Sequence, residues 1–108
     1  MDKIGIYQRC CDVILQRAEE KCDSLYKKLQ ETGNFRDYYP DMMKSLVDAA
    51  INIRYKDSWI YGDAVLTDEE RPIMEGIYDA SAEKLKAMKE KEMQRSIEYK
   101  CKVLGGIA

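Results

Sequence analysis

Eight apolar residues spaced three or four apart, Ile4, Tyr7, Cys11, Ile14, Ala18, Cys22, Leu25 and Leu29, constrain this chain more than any other feature. That spacing keeps one continuous stripe on an α-helix and is incompatible with the two-residue period of a strand. Arg9, Asp12, Gln16, Glu19, Asp23, Lys27 and Gln30 fall on the opposite side, and Asp23 with Lys27 forms a favourable i,i+4 pair. Gly33 and Asn34 supply a left-handed stop. The first helix is therefore expected over residues 2–32.

The rest of the chain repeats the theme with weaker punctuation. Two prolines and six glycines in 108 residues leave few breaks, which favours long helices. A connection over Asn34–Tyr39 is expected to lead to Pro40, which suits the first position of a second helix because its missing N–H would be unpaired there anyway. Met43, Leu46, Val47, Ala50 and Ile51 then set its apolar face, giving a helix over residues 40–56. Asp57, Ser58, Gly62 and Asp63 favour a turn beyond it, although Trp59, Ile60 and Tyr61 could continue the helix.

Thr67 and Glu70 have the spacing of a capping box, and Pro72 requires either a short turn before it or a helix start at that point. Ile73, Ile77, Ser81, Leu85 and Met88 keep one face, which Met93, Ile97, Cys101 and Leu104 would continue after a drift in frame. The third helix is expected over 67–104, ended by Gly105 and Gly106. These elements predict a single all-α domain, an antiparallel three-helix bundle with a long C-terminal helix. An apolar stripe left without neighbours on that helix would support a homodimer.

The same residues exclude most chemistry. With no histidine, no Ser-His-Asp or Cys-His arrangement can form, and the commonest zinc ligand is missing. Cys10, Cys11, Cys22 and Cys101 lack the paired spacing of a zinc knuckle and read as small buried helix residues. Phosphate-cradling glycine loops do not occur. Asp57, Gly62 and Asp68 match three positions of a calcium loop, but Trp59 and Tyr61 stand where carboxylates are needed. No enzyme, cofactor or metal site is expected. Residues 1–6 lack an apolar signal core, and no run approaches the roughly 20 apolar residues of a membrane span, so a cytoplasmic protein with thiol cysteines and no membrane association is expected.

Charge is unevenly placed: residues 1–56 carry a net +1, residues 57–83 carry −7, and residues 84–108 carry +4. Within the acidic stretch Glu75, Asp79 and Glu83 recur every four residues, with Asp68 near the same face if the helix reaches it. Like charges so spaced destabilise a helix by a few tenths of a kcal/mol each. Neutralisation by Arg9, Arg17 or Lys21 is one reading; a docking face for a basic partner is the other. The aromatic segment holding Tyr55, Trp59 and Tyr61 supplies residue types that dominate binding hot spots, though at a helix end they also cap a core.

Taken together, these features predict a non-catalytic protein-interaction module: a small inhibitor or adaptor, of the kind phages and mobile elements encode, that docks Asp68, Glu75, Asp79, Glu83, Tyr55, Trp59 and Tyr61 on a protein partner with a basic surface, such as a nucleic-acid enzyme. The alternative is a nucleic-acid-associated helical protein using the basic end of the third helix. Its lysines at 84, 86, 89 and 91 are interleaved with acids, a pattern more typical of a solvated face, so direct nucleic-acid binding is not expected.

Overall fold

Asp2 opens the first helix, its carboxylate accepting the Gly5 N–H at 2.9 Å. In the computed structural model, which describes residues 2–61 and 67–105 and the side chains of 2–54 and 67–103, the described residues form three helices: α1 (Lys3–Thr32), α2 (Phe35–Tyr61) and α3 (Glu70–Gly105). Their packing is that of a helical bundle. The stripe on α1 faces inward as its spacing requires: Tyr7, Cys11, Ala18, Cys22 and Leu29 are buried, joined by Leu15.

The link between α1 and α2 is tighter than the sequence suggested. Gly33 takes φ +70°, a conformation that a side chain would strain, and its N–H closes on the Leu29 carbonyl at 2.7 Å. Asn34 then caps α2. Its Oδ1 accepts the Asp37 N–H at 3.2 Å, and its Nδ2 donates to the Asp37 carboxylate at 2.7 Å. This cap starts α2 at Phe35 rather than at Pro40, which lies inside the helix. Pro40 has no N–H to give to the Arg36 carbonyl one turn earlier, and both residues are exposed.

Starting the helix earlier changes which face is buried. Tyr38, Met42, Leu46, Ala49 and Ile53 form the core stripe, whereas Val47 and Ile51, expected inside, are 51% and 45% exposed. The backbone of α2 also continues through Tyr61, past the end expected near residue 56.

At α3 the capping box forms reciprocally. The Thr67 N–H reaches the Glu70 carboxylate at 3.0 Å, and the Glu70 N–H reaches Thr67 Oγ1 at 3.1 Å. Asp68 and Glu69 make the turn before the helix, which places Pro72 in its first turn. The buried face then runs through Met74, Ser81, Glu92 and Ser96, with Ile77, Leu85, Met88 and Tyr99 half-buried. Ile73, Met93, Ile97 and Cys101, expected on this face, are exposed instead. The frame never drifts; polar side chains occupy core positions in the second half of the helix, and hydrophobicity alone misses them.

The core divides along the rod. Tyr7, Cys11, Leu15, Ile53 and Met74 cluster at one end, where the Tyr7 hydroxyl donates to the Ile53 carbonyl at 3.3 Å. Cys22, Leu29, Tyr38, Met42 and Leu46 cluster at the other, and Leu85 and Met88 pack against both. The molecule measures 60 × 19 × 17 Å, with a radius of gyration of 17.4 Å against the ~13 Å of a compact chain this long. Every core residue therefore lies one layer from solvent. Replacing Thr67 with Ala, or Gly33 with Ala, is expected to cost about 1 kcal/mol each in urea unfolding, with helicity otherwise retained; no loss for Thr67→Ala would show that the capping box does not hold the start of α3.

Candidate functional site

One carboxylate lies inside the bundle. Glu92 is 2% exposed and occupies the α3 core face between Met88 and Ser96. The Tyr38 hydroxyl of α2 donates to its Oε2 at 2.8 Å, and Arg95 Nη1 donates to its Oε1 at 2.9 Å. The same Arg95 nitrogen reaches Asp23 of α1 at 2.8 Å, and its guanidinium lies 5.0 Å from the centroid of the Tyr26 ring. The network thus touches all three helices. Its electrostatics follow from burial. Burial works to lower the Arg95 pKa, but the hydrogen bond to Asp23 and the charges of Glu92 and Asp23 hold it above the ordinary value. Burial, reinforced by the hydrogen bond to Glu92 and its charge, pushes the Tyr38 phenol well above its usual range. Cys22 is pushed from 9.0 to about 11 by burial and by the nearby Glu92 and Asp23 charges.

Those raised values disfavour thiolate chemistry, since the thiolate is the nucleophilic form. Cys11 is likewise raised, chiefly by burial. Cys10 is half-buried and Cys101 exposed, so the four thiols are spread along the fold and do not converge. Among the described residues no cluster of Cys, Asp or Glu is placed to hold a metal ion, and no helix is long and apolar enough to cross a membrane.

The surface carries the remaining candidates. Glu75, Asp79 and Glu83 are exposed on the outer side of α3, away from the Met74–Ser81–Leu85 face. None of them forms an ion pair among the described residues; Arg9, Arg17 and Lys21 do not neutralise them there. Asp68 sits in the turn before α3 rather than on the helix. Tyr55, Trp59 and Tyr61 belong to the backbone of α2, and their side chains lie outside the described residues.

A second aromatic group was not singled out from sequence. Phe35 stacks on Tyr99 and Tyr39, with ring centroids 6.1 and 6.0 Å apart, and Lys100 Nζ lies 4.7 Å from the Phe35 centroid. Together with Pro40, Met93 and Ile97, Phe35 and Tyr39 form an apolar groove of about 330 Å³, rimmed by Arg36 and Lys100. At 100° per residue Met93 and Ile97 continue the same outer face of α3 that carries Glu75, Asp79 and Glu83. Along that face Glu75, Asp79 and Glu83 come first, Lys86 and Glu90 follow at its middle, and Met93 and Ile97 lie beyond them. Its signal in the sequence is the Met93–Ile97 pair, which apolar spacing alone places on the core face.

Compared with known protein families, characterised proteins and solved structures, the chain matches none.

The buried network generates two expectations. Glu92→Ala should destabilise the protein by about 3 kcal/mol, because it leaves Tyr38 and Arg95 without their buried partner, whereas Tyr38→Phe should cost about 1 kcal/mol. Urea unfolding distinguishes them, and a loss below ~1 kcal/mol for Glu92→Ala would mean that the network does not hold the helices together. The second expectation concerns pH. Tyr38 and Cys22 keep their protons more tightly folded than unfolded, so their stabilising contribution is complete below pH 9 and declines as pH rises. Melting temperature should fall from pH 9 to 11, and Cys22→Ala should make that fall shallower across the whole interval, the remainder coming from Cys11 and, above pH 10, from Tyr38. An unchanged slope in this variant would remove Cys22 as its source.

Proposed function

We propose that this protein is a non-catalytic interaction module that docks the outer face of α3 on a protein partner with a basic surface. The observation that carries the reading is the composition of that face. Met93 and Ile97 are 36% and 53% exposed beside the Phe35–Tyr39–Pro40 groove, in line with the unpaired carboxylates of Glu75, Asp79 and Glu83. Isolated surface apolar residues are ordinary; apolar side chains gathered at a groove and flanked by unpaired charge fit a contact surface. Carboxylates spaced along a rod can stand in for phosphates, so a nucleic-acid enzyme's basic groove is a concrete partner, and a small inhibitor or adaptor of phage or mobile-element type is the matching role.

The reading takes the bundle as antiparallel, with the long α3 lying against both other helices. The contacts support this: Tyr7 near the start of α1 meets Ile53 late in α2, and Leu29 packs with Tyr38 and Met42. A reducing compartment such as the cytoplasm suits four free thiols. Direct nucleic-acid binding by the basic half of α3 is less well supported. Lys84 and Lys91 fall on one side of the helix and Lys86 nearly opposite, so the lysines make no single stripe along a backbone.

The test compares tagged wild-type protein with two variants, Glu75→Gln/Asp79→Asn/Glu83→Gln and Met93→Gln/Ile97→Gln, in nuclease-treated lysate from the source. A stoichiometric protein partner held by the wild type should bind the carboxylate variant about tenfold more weakly, with a flatter salt dependence, as three exposed ion pairs are worth ~1–2 kcal/mol together. Equal retention by both variants, or recovery of nucleic acid alone, overturns the reading.

A further inference from the structure

Between α1 and α3 the two helices stand apart enough to leave a groove of about 450 Å³. Leu15 and Met88 lie at its floor, Asp12 and Glu19 line the α1 wall, and Lys84 and Lys91 line the α3 wall. The walls are in register. Asp12 is as far from Lys84 in sequence as Asp23 is from Arg95, and Glu19 is equally far from Lys91. The Asp23–Arg95 rung closes within the molecule at 2.8 Å. The other two stay open: among the described residues neither lysine has an ion pair, and Asp12 accepts only from Gln8 on its own helix.

We propose that this groove is where a second copy of the chain docks, about a two-fold axis running along the helices. The argument is charge complementarity. Such an axis exchanges the α1 and α3 sides while keeping each residue at its own height along the rod. Asp12 and Glu19 of one copy then face Lys84 and Lys91 of the other, and symmetry repeats both contacts. A two-fold axis across the helices would instead set α1 against α1 and bring carboxylates together. Of the parallel and the antiparallel packing of two such grooves, the charges therefore favour the parallel one. Each exposed pair contributes little, so the dimer is weak and salt-sensitive. The groove lies on a different side of α3 from Glu75, Asp79 and Glu83, so this inference and the docking-face reading stand or fall separately.

Sedimentation equilibrium of the full chain across micromolar concentrations tests it. The wild type should dimerise at low salt, with a dissociation constant at least ~10-fold weaker in about 500 mM NaCl. Asp12→Lys/Glu19→Lys and Lys84→Glu/Lys91→Glu should each be monomeric, because each sets like charge against like. Mixed in equal amounts they should form a heterodimer, and the fourfold variant with both walls exchanged should dimerise alone. A wild type that stays monomeric overturns the proposal, as does either double variant dimerising like the wild type. A mixture or a fourfold variant that stays monomeric while showing native helicity overturns it as well.

Discussion

A carboxylate placed in the interior of a rod 19 Å across sets the terms for everything around it. Removing an ionised side chain from water costs several kcal/mol, which is offset only when its partners have good geometry. Glu92 has two, the Tyr38 hydroxyl and Arg95, and Arg95 is itself held by Asp23 and the face of Tyr26. Each partner comes with a constraint. Tyr38 can point inward only if α2 is already helical at that position, so the chain must cap at Asn34 and carry Pro40 within the helix. Asp23 fixes the height of α3 against α1. Apolar side chains tolerate sliding and repacking; a hydrogen-bonded carboxylate does not.

The surface follows from that register. With the second half of α3 using core positions for Glu92 and Ser96, its apolar residues Met93 and Ile97 are turned outward onto the line of Glu75, Asp79 and Glu83. On the other side of the helix, the closed Asp23–Arg95 rung holds α1 and α3 together at one level. Toward Asp12 and Lys84 the helices leave the groove between them. A single interior network thereby determines the composition of two separate faces of α3.

Legibility in the sequence divides along the same lines. The α1 stripe and its C-terminal stop could be read directly, because local spacing and a glycine dictate them. The Thr67–Glu70 box was equally local. The faces of α2 and α3 differ from the expectation for two reasons: a misplaced helix start on α2, and on α3 a core that is partly polar, which apolar periodicity cannot find. On α2 the proline drew the helix start away from the Asn34–Asp37 cap, which shifted the stripe by one position, from Met42 to Met43. On α3 a buried glutamate breaks the pattern, and the exposed Met93 and Ile97 offered a false continuation. The constant three-and-four spacing from Ser81 through Leu85 and Met88 to Glu92 and Ser96 held the correct face. The acidic stripe was visible as spacing, but its lack of partners depends on where α1 lies. Tyr38 and Glu92, 54 positions apart, meet only through the fold.

The order of residues at 92 and 93 carries a further argument. Exchanging them would bury a methionine and expose a glutamate, removing a costly buried charge and covering apolar surface in one step. Apolar replacements of buried ionic groups are often neutral or stabilising, so a bundle shaped only for monomer stability has no reason to prefer the arrangement found. What the existing order provides is different: a core contact that admits one register of three helices, and an apolar contact left outside beside the Phe35 groove. The interior glutamate and the exterior methionine are thus one feature: a polar contact that ties α2 and α1 to α3 through Tyr38, Arg95 and Asp23, gained with apolar surface left outside the core.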